Sequence, residues 1–145
     1  MAEIGFYKDK FYDDVKKILQ ECNLFDETWE ARENLKRKIT RDKESILIAE
    51  EGSKIVGCVF IVEDGWNAFI WRLCVKENYR KKGIGLLLMQ KAEDIIKGRG
   101  IKEASIFVDA KNDSLKNWYQ KQGYLKGRDW TFMYKKLDIP SRVEK

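Results

Sequence analysis

In the stretch 77-ENYRKKGIGLLLMQKAEDIIKGRG-100, Arg80, Lys81 and Lys82 stand in a row and Gly83-Ile84-Gly85 follows. An apolar helical run then opens with no Ser, Thr, Asp or Asn to cap it. The first N–H groups of a helix have no intrahelical partner and carry partial positive charge. Glycines remove the Cβ atoms that would hold a ligand away from that backbone. With three cationic side chains beside it, this segment suits a phosphate or pyrophosphate. A solvated charged turn is the competing reading of a bare Gly-x-Gly. Two other phosphate loops fail on their own requirements. A Walker loop needs Gly-Lys-Ser/Thr, which the chain lacks. A dinucleotide fingerprint needs a third glycine or alanine near position 88, where Leu88 stands, and Glu103 opens the next strand rather than ending it.

Other chemistry is bounded by what is missing. The chain has no histidine, which excludes Ser-His-Asp and Cys-His nucleophiles and every His-ligated metal. Cys22, Cys58 and Cys74 are odd in number, widely spaced and set in apolar patterns. They are expected as buried reduced thiols, not as a disulfide or a zinc site. No metal is expected.

At 145 residues, with 43% apolar and 12% aromatic content, the chain is long enough for one domain with a real core. Residues 1–138 are read as that single domain and 139–145, after Pro140, as a charged flexible tail. Net charge is +5, but the cations are mixed with acids except at 80–82, and no helix-turn-helix or zinc-finger spacing appears. Nucleic acid is not an expected partner. No apolar run approaches the roughly 20 residues of a membrane span, and MAEIGFYKDK is charged where a signal peptide is apolar. A cytoplasmic protein without a membrane partner is expected.

The elements that must position the loop follow from periodicity. Ile4–Tyr7 reads as a strand, and Phe11, Val15, Ile18, Leu19 and Cys22 recur at helical spacing over residues 10–22. Asp26 caps a second helix whose stripe is Trp29, Leu35 and Ile39. SILIAEE (45–51) and KIVGCVFIVE (54–63) form a hairpin about Gly52-Ser53. AFIWRLCV (68–75) suits the centre of a sheet. The helix from about Gly83 to Lys97 turns Leu87, Leu88, Ile95 and Ile96 toward the sheet and stops at Gly98-Arg99-Gly100. IKEASIFVDA (101–110) is a parallel crossover strand. Asn112 or Asp113 caps a shorter helix to about Gln122, and 124–127 and 131–137 are closing strands.

Arg80-Lys81-Lys82-Gly83-Ile84-Gly85 resembles the Arg/Gln-x-x-Gly-x-Gly/Ala signature of the GCN5-related N-acetyltransferases. NDSLKNWYQKQGY (112–124) is similar to the family's Asn-x6-Tyr-x3-Gly-aromatic block, with Asn112, Tyr119, Gly123 and Tyr124 in register. Leu115 stands where the family often has alanine. The resemblance runs from Ile4 to Leu137.

It implies an α+β fold, an α/β sandwich with a mixed sheet of about seven strands, splayed in the middle, and about four helices. It also implies acetyl-CoA as cosubstrate and transfer of its acetyl group to a primary amine by direct attack on the thioester. The splayed pair would be 68–75 and 102–109. Backbone at Leu73, Cys74 and Val75 would bind the pantetheine arm. Amides of Lys81, Lys82, Gly83, Ile84, Gly85 and Leu86, with Arg80 beside them, would hold the pyrophosphate. Tyr119 would serve the leaving thiolate, and Asn112 would contact the cofactor or only cap its helix. The positions where relatives keep a glutamate base hold Phe69 and Phe107. Glu63, Asp64 and Asp109 fit turns or surfaces better, so no base is assigned. An acetyl-CoA-binding sensor without turnover is the alternative. The acceptor, and whether the chain is a monomer or homodimer, are left open.

Overall fold

The computed structural model describes residues 1–137; the expected tail at 139–145 lies outside the described residues. The chain divides into two compact units, residues 1–107 and 108–145. In the first unit the order is β1 (Glu3–Phe6), α1 (Tyr12–Glu21), α2 (Glu27–Glu30), α3 (Arg32–Arg41), β2 (Ile46–Glu51), β3 (Lys54–Glu63), β4 (Ala68–Val75) and α4 (Ile84–Gly98). The second holds α5 (Asp113–Lys121).

The four strands form one antiparallel sheet in the order β1-β2-β3-β4. Alternate residues of a strand point to opposite faces. Ile46, Ile48, Cys58, Phe60 and Cys74 meet Val15, Ile18 and Leu19 of α1 in one apolar cluster. Leu47, Val59 and Ile61 are equally buried at the intervening positions, and α4 packs on the strands with Ile84, Leu88, Met89, Ala92 and Ile96 buried. Coverage of both faces explains why β2 and β3 read as continuous apolar runs rather than alternating ones.

The hairpin, β4 and α4 fall where periodicity put them. The second helix does not. Asp26 accepts from Thr28 N at 2.9 Å as expected of a cap, but the helix breaks at Ala31, whose ψ of 148° is extended. This yields α2 and α3 in place of one helix and leaves Trp29 57% exposed, off the expected stripe. Leu87 is also exposed where a sheet-facing position was expected.

Four strands appear among the described residues where about seven were expected. Residues 101–107 touch β4 through one parallel bridge, Phe69 to Ser105, with Ile70 N donating to Ser105 O and Ser105 N to Ala68 O, each at 2.9 Å. Segments 124–127 and 131–137, expected as closing strands, have no ladder. The pattern reports a capacity for pairing; a strand also needs a partner's N–H and C=O in register.

Candidate active site

The Arg80–Gly85 segment connects the end of β4 to α4. Lys81 has φ +65° and Gly83 φ +82°, with Lys82 between them on the ordinary side. Such alternation turns successive N–H groups inward to make an anion-binding concavity. Gly83 is the N-cap of α4 and supplies no side-chain cap, and the first turn holds no acid. Lysine in left-handed backbone is sterically disfavoured, and strain of this kind concentrates at functional sites. Residues 80–83 are all exposed, whereas Ile84 is buried and anchors the helix start to the core.

Arg80 is more occupied than the sequence implied. Its Nε donates to Val75 O at 2.8 Å and one Nη to Cys22 Sγ at 3.6 Å, tying the loop to the end of β4. Lys82 Nζ lies 5.2 Å from the centroid of the Tyr79 ring.

Leu73, Cys74 and Val75 end β4. Cys74 pairs with Cys58 and Val75 with Gly57 on β3. The parallel contact on the other edge stops at Ser105, so within residues 1–107 no strand pairs with 73–75 on that side, and only Val75 O is taken, by Arg80 Nε. A strand edge with unused N–H and C=O groups can pair with an extended amide-bearing ligand. Between Cys58↔Cys74 and Phe60↔Trp71 the register shifts, because Arg72 and Leu73 oppose the single Val59. This bulge is centred on Arg72, whose φ is +57°.

The three cysteines are not all reduced thiols, contrary to what their apolar flanks suggest. Cys22 and Cys74 form a disulfide with Cα atoms 6.3 Å apart, and Cys58 alone is free and buried. Apolar flanks signalled burial correctly but carried no information on proximity, which arises because α1 packs across β4. Burial pushes the Cys58 thiol up to about 12.

In the second unit, Asn112 caps α5, its Oδ1 accepting from Leu115 N at 3.0 Å. Tyr119 is 8% exposed, held edge-on by Trp118 and Tyr124 with ring centroids 4.9 and 5.6 Å away. Burial pushes its phenol up to about 12, so it is protonated at neutral pH and a weaker acid than free tyrosine.

Glu63, Asp64 and Asp109 are each engaged. Glu63 accepts from Arg99 Nη1 at 2.7 Å and from Gly65 N at 2.6 Å. Asp64 caps its turn through Trp66 N and Asn67 N, which holds its carboxyl below the usual range. Asp109 accepts from Lys111 N. Phe69 and Phe107 stack at 5.6 Å, with Trp71 5.2 Å from Phe107.

Sequence reasoning missed Glu30. It is 4% exposed and its Oε2 accepts from Arg72 Nε at 2.9 Å. The signal was present: Arg72 is the only charge in AFIWRLCV, and a charge in a core strand requires a partner.

The chain is similar to several known proteins. An acetyltransferase of Yersinia pestis (strain Pestoides F) is 28% identical over 122 residues, covering 84% of this chain and 86% of its own. Acetyltransferase SG1711 of Sodalis glossinidius is 25% identical over the same length and shares. Among solved structures, the PaiA N-acetyltransferase of Thermoplasma acidophilum in complex with coenzyme A superposes with a TM-score of 0.72 at 23% identity, over 84% of this chain and 88% of that one. Ard1 of Thermoplasma volcanium gives 0.77 at 20% identity, over 88% and 84%. These two likenesses establish the α+β fold. The profile of the Acetyltransferase (GNAT) family matches residues 12–124, the span from the first turn of α1 to the tyrosine that follows α5, and the chain belongs to that family.

Proposed function

We propose that this chain is an acetyl-CoA-dependent N-acetyltransferase that moves an acetyl group to a primary amine. The observation that carries the reading is the α4 N-terminus, with left-handed backbone at Lys81 and Gly83, no side-chain cap, and exposed cations at 80–82. That cradle fits a diphosphate, because inward-turned N–H groups and a positive helix end favour an anion. The coenzyme A complex of the Thermoplasma acidophilum relative supports the donor's identity. The donor supplies an activated thioester carbonyl.

The chain's own residues do the rest. Amides of residues 81–86 hold the diphosphate. The free edge at Leu73–Val75 pairs with the amides of the pantetheine arm, and of the Cys74 and Val75 N–H groups the one that faces this edge polarises the carbonyl. Tyr119 donates a hydrogen bond to the departing thiolate. With its phenol near 12 against a thiol near 8.5, it stabilises that thiolate rather than protonating it outright. Asn112 orders the start of α5. An alkylamine with pKa near 10.4 costs about 4–5 kcal/mol to neutralise at pH 7, so without an assigned base the rate rises with pH over that range. We further propose that residues 1–138 act as one catalytic domain in the cytoplasm. Among the described residues no helix is long and apolar enough to cross a membrane.

Phe69 and Phe107, and the pairing of Glu63 with Arg99, favour one second reading, a sensor that binds the donor without turnover. A thiol-release screen over amino acids, small amines and peptides decides between them. Turnover lowered at least about tenfold by Tyr119→Phe, with donor affinity kept, supports the enzyme. Binding with no thiol release from any amine supports the sensor, and no binding at millimolar acetyl-CoA removes both.

A further inference from the structure

We infer that the buried Glu30–Arg72 pair is a positioning device: it holds residue 72 in left-handed backbone and thereby sets which amides of Leu73–Val75 face the free edge of β4. The inference rests on the reading of that edge as the acyl-donor strand.

A bulge that needs positive φ usually has glycine at that place. Here an arginine occupies it, with φ +57°, opposite Val59. Its side chain meets a carboxylate that is already fixed. Glu30 Oε1 accepts from Asp26 N at 2.9 Å, Oε2 from Arg72 Nε at 2.9 Å, and its carbonyl from Tyr12 Oη at 2.8 Å. The Cys58 thiol meets the Arg72 carbonyl at 3.6 Å. The carboxylate's side chain is only 5% exposed and the guanidinium's 20%, so neither can swing to water without leaving a buried partner uncompensated.

The consequence reaches past residue 72. Along a strand, successive N–H groups point to alternate edges, so the extra residue decides which amides face β3 and which face outward. With the bulge, Cys74 pairs with Cys58 and shares the α1 face with Trp71, where the Cys22 disulfide holds it. If residue 72 relaxed to ordinary extended backbone, residues 73–75 would lose that alignment. The pair thus acts on the reaction through the backbone of its neighbours.

Four proteins test this: wild type, Glu30→Gln, Arg72→Gly and the double variant Glu30→Gln/Arg72→Gly. Glycine takes positive φ without the ion pair, and the double variant buries no unpaired charge. In Glu30→Gln, kcat falls roughly 10- to 100-fold, as a misplacement near 1 Å does, while acetyl-CoA affinity, set mainly by the diphosphate loop, changes little. The double variant regains most of the lost kcat. Backbone chemical shifts give the sign of φ at residue 72: positive in wild type and the double variant, relaxed in Glu30→Gln. A Glu30→Gln protein with wild-type kcat, or a double variant as slow as the single, overturns the inference. Should wild type turn over no amine, the proposed activity is what fails. The chemical shifts then decide this inference alone, and a positive φ persisting in Glu30→Gln refutes it.

Discussion

Gly83→Ala adds one methyl at the hinge of the proposed anion cradle. The new Cβ would meet no atom within 4 Å, so no clash contributes. The cost is conformational: φ is +82°, and an L-residue in left-handed backbone loses roughly 1–2 kcal/mol. For a chain of this size that is a drop in Tm of about 3–7 °C. Gly98→Ala is the internal control. It lies at the other end of α4, has ordinary backbone, and its Cβ is equally unobstructed. There the same change leaves stability unaltered or raises it by up to about 1 kcal/mol, because alanine is the better helix former. Thermal and urea unfolding of both variants give the comparison. In the presence of acetyl-CoA the ligand-induced rise in Tm shrinks in Gly83→Ala and is kept in Gly98→Ala. Equal stability losses in the two variants would falsify the argument that residue 83 needs positive φ.

Lys38 is pushed down to about 8 by burial, its Nζ donating to Ile61 O. A lowered lysine makes the unfolded chain the better proton binder between pH 8 and 10.5, so stability rises with pH there. From pH 7 to 9 the gain is about 1 kcal/mol after the opposing term of Cys58, and urea midpoints at the two pH values should show it vanish in Lys38→Met. Arg99 donates to Asp42, Glu44 and Glu63, and its bond holds the Asp42 carboxyl below the usual range. That stability is present above about pH 4 and is lost as pH falls through the lowered value; Arg99→Met costs about 1–3 kcal/mol at neutral pH and flattens the acid limb of the stability curve. Under denaturing, non-reducing conditions one thiol per chain titrates, rising to three after reduction, and reduction lowers stability by up to about 4 kcal/mol for a loop of 52 residues. Three titratable thiols before reduction would contradict the Cys22–Cys74 bond.

Elements whose signal is local were legible in the sequence. The β2–β3 hairpin, β4 and α4 carry their turn glycines and apolar periods with them, and so does the Asn112 cap. The glycine loop was legible because missing caps and clustered cations are local facts. What depends on distant partners was not. The Cys22–Cys74 bond spans 52 residues, the pairing of 101–107 with β4 shrinks to one bridge, and Lys81 shares positive φ with Gly83 although nothing in a lysine announces it. Arg72 lies between these cases. Its isolation in an apolar strand called for a buried acid, but only the packed fold identifies that acid as Glu30.

Amide chemical shifts during an acetyl-CoA titration test the central claim most directly. Saturable shifts concentrated at the N–H groups of residues 81–86, weakened in Gly83→Ala, are the predicted result. Millimolar acetyl-CoA that leaves those amides unmoved, or moves them no more than amides at the far end of α4, contradicts the account.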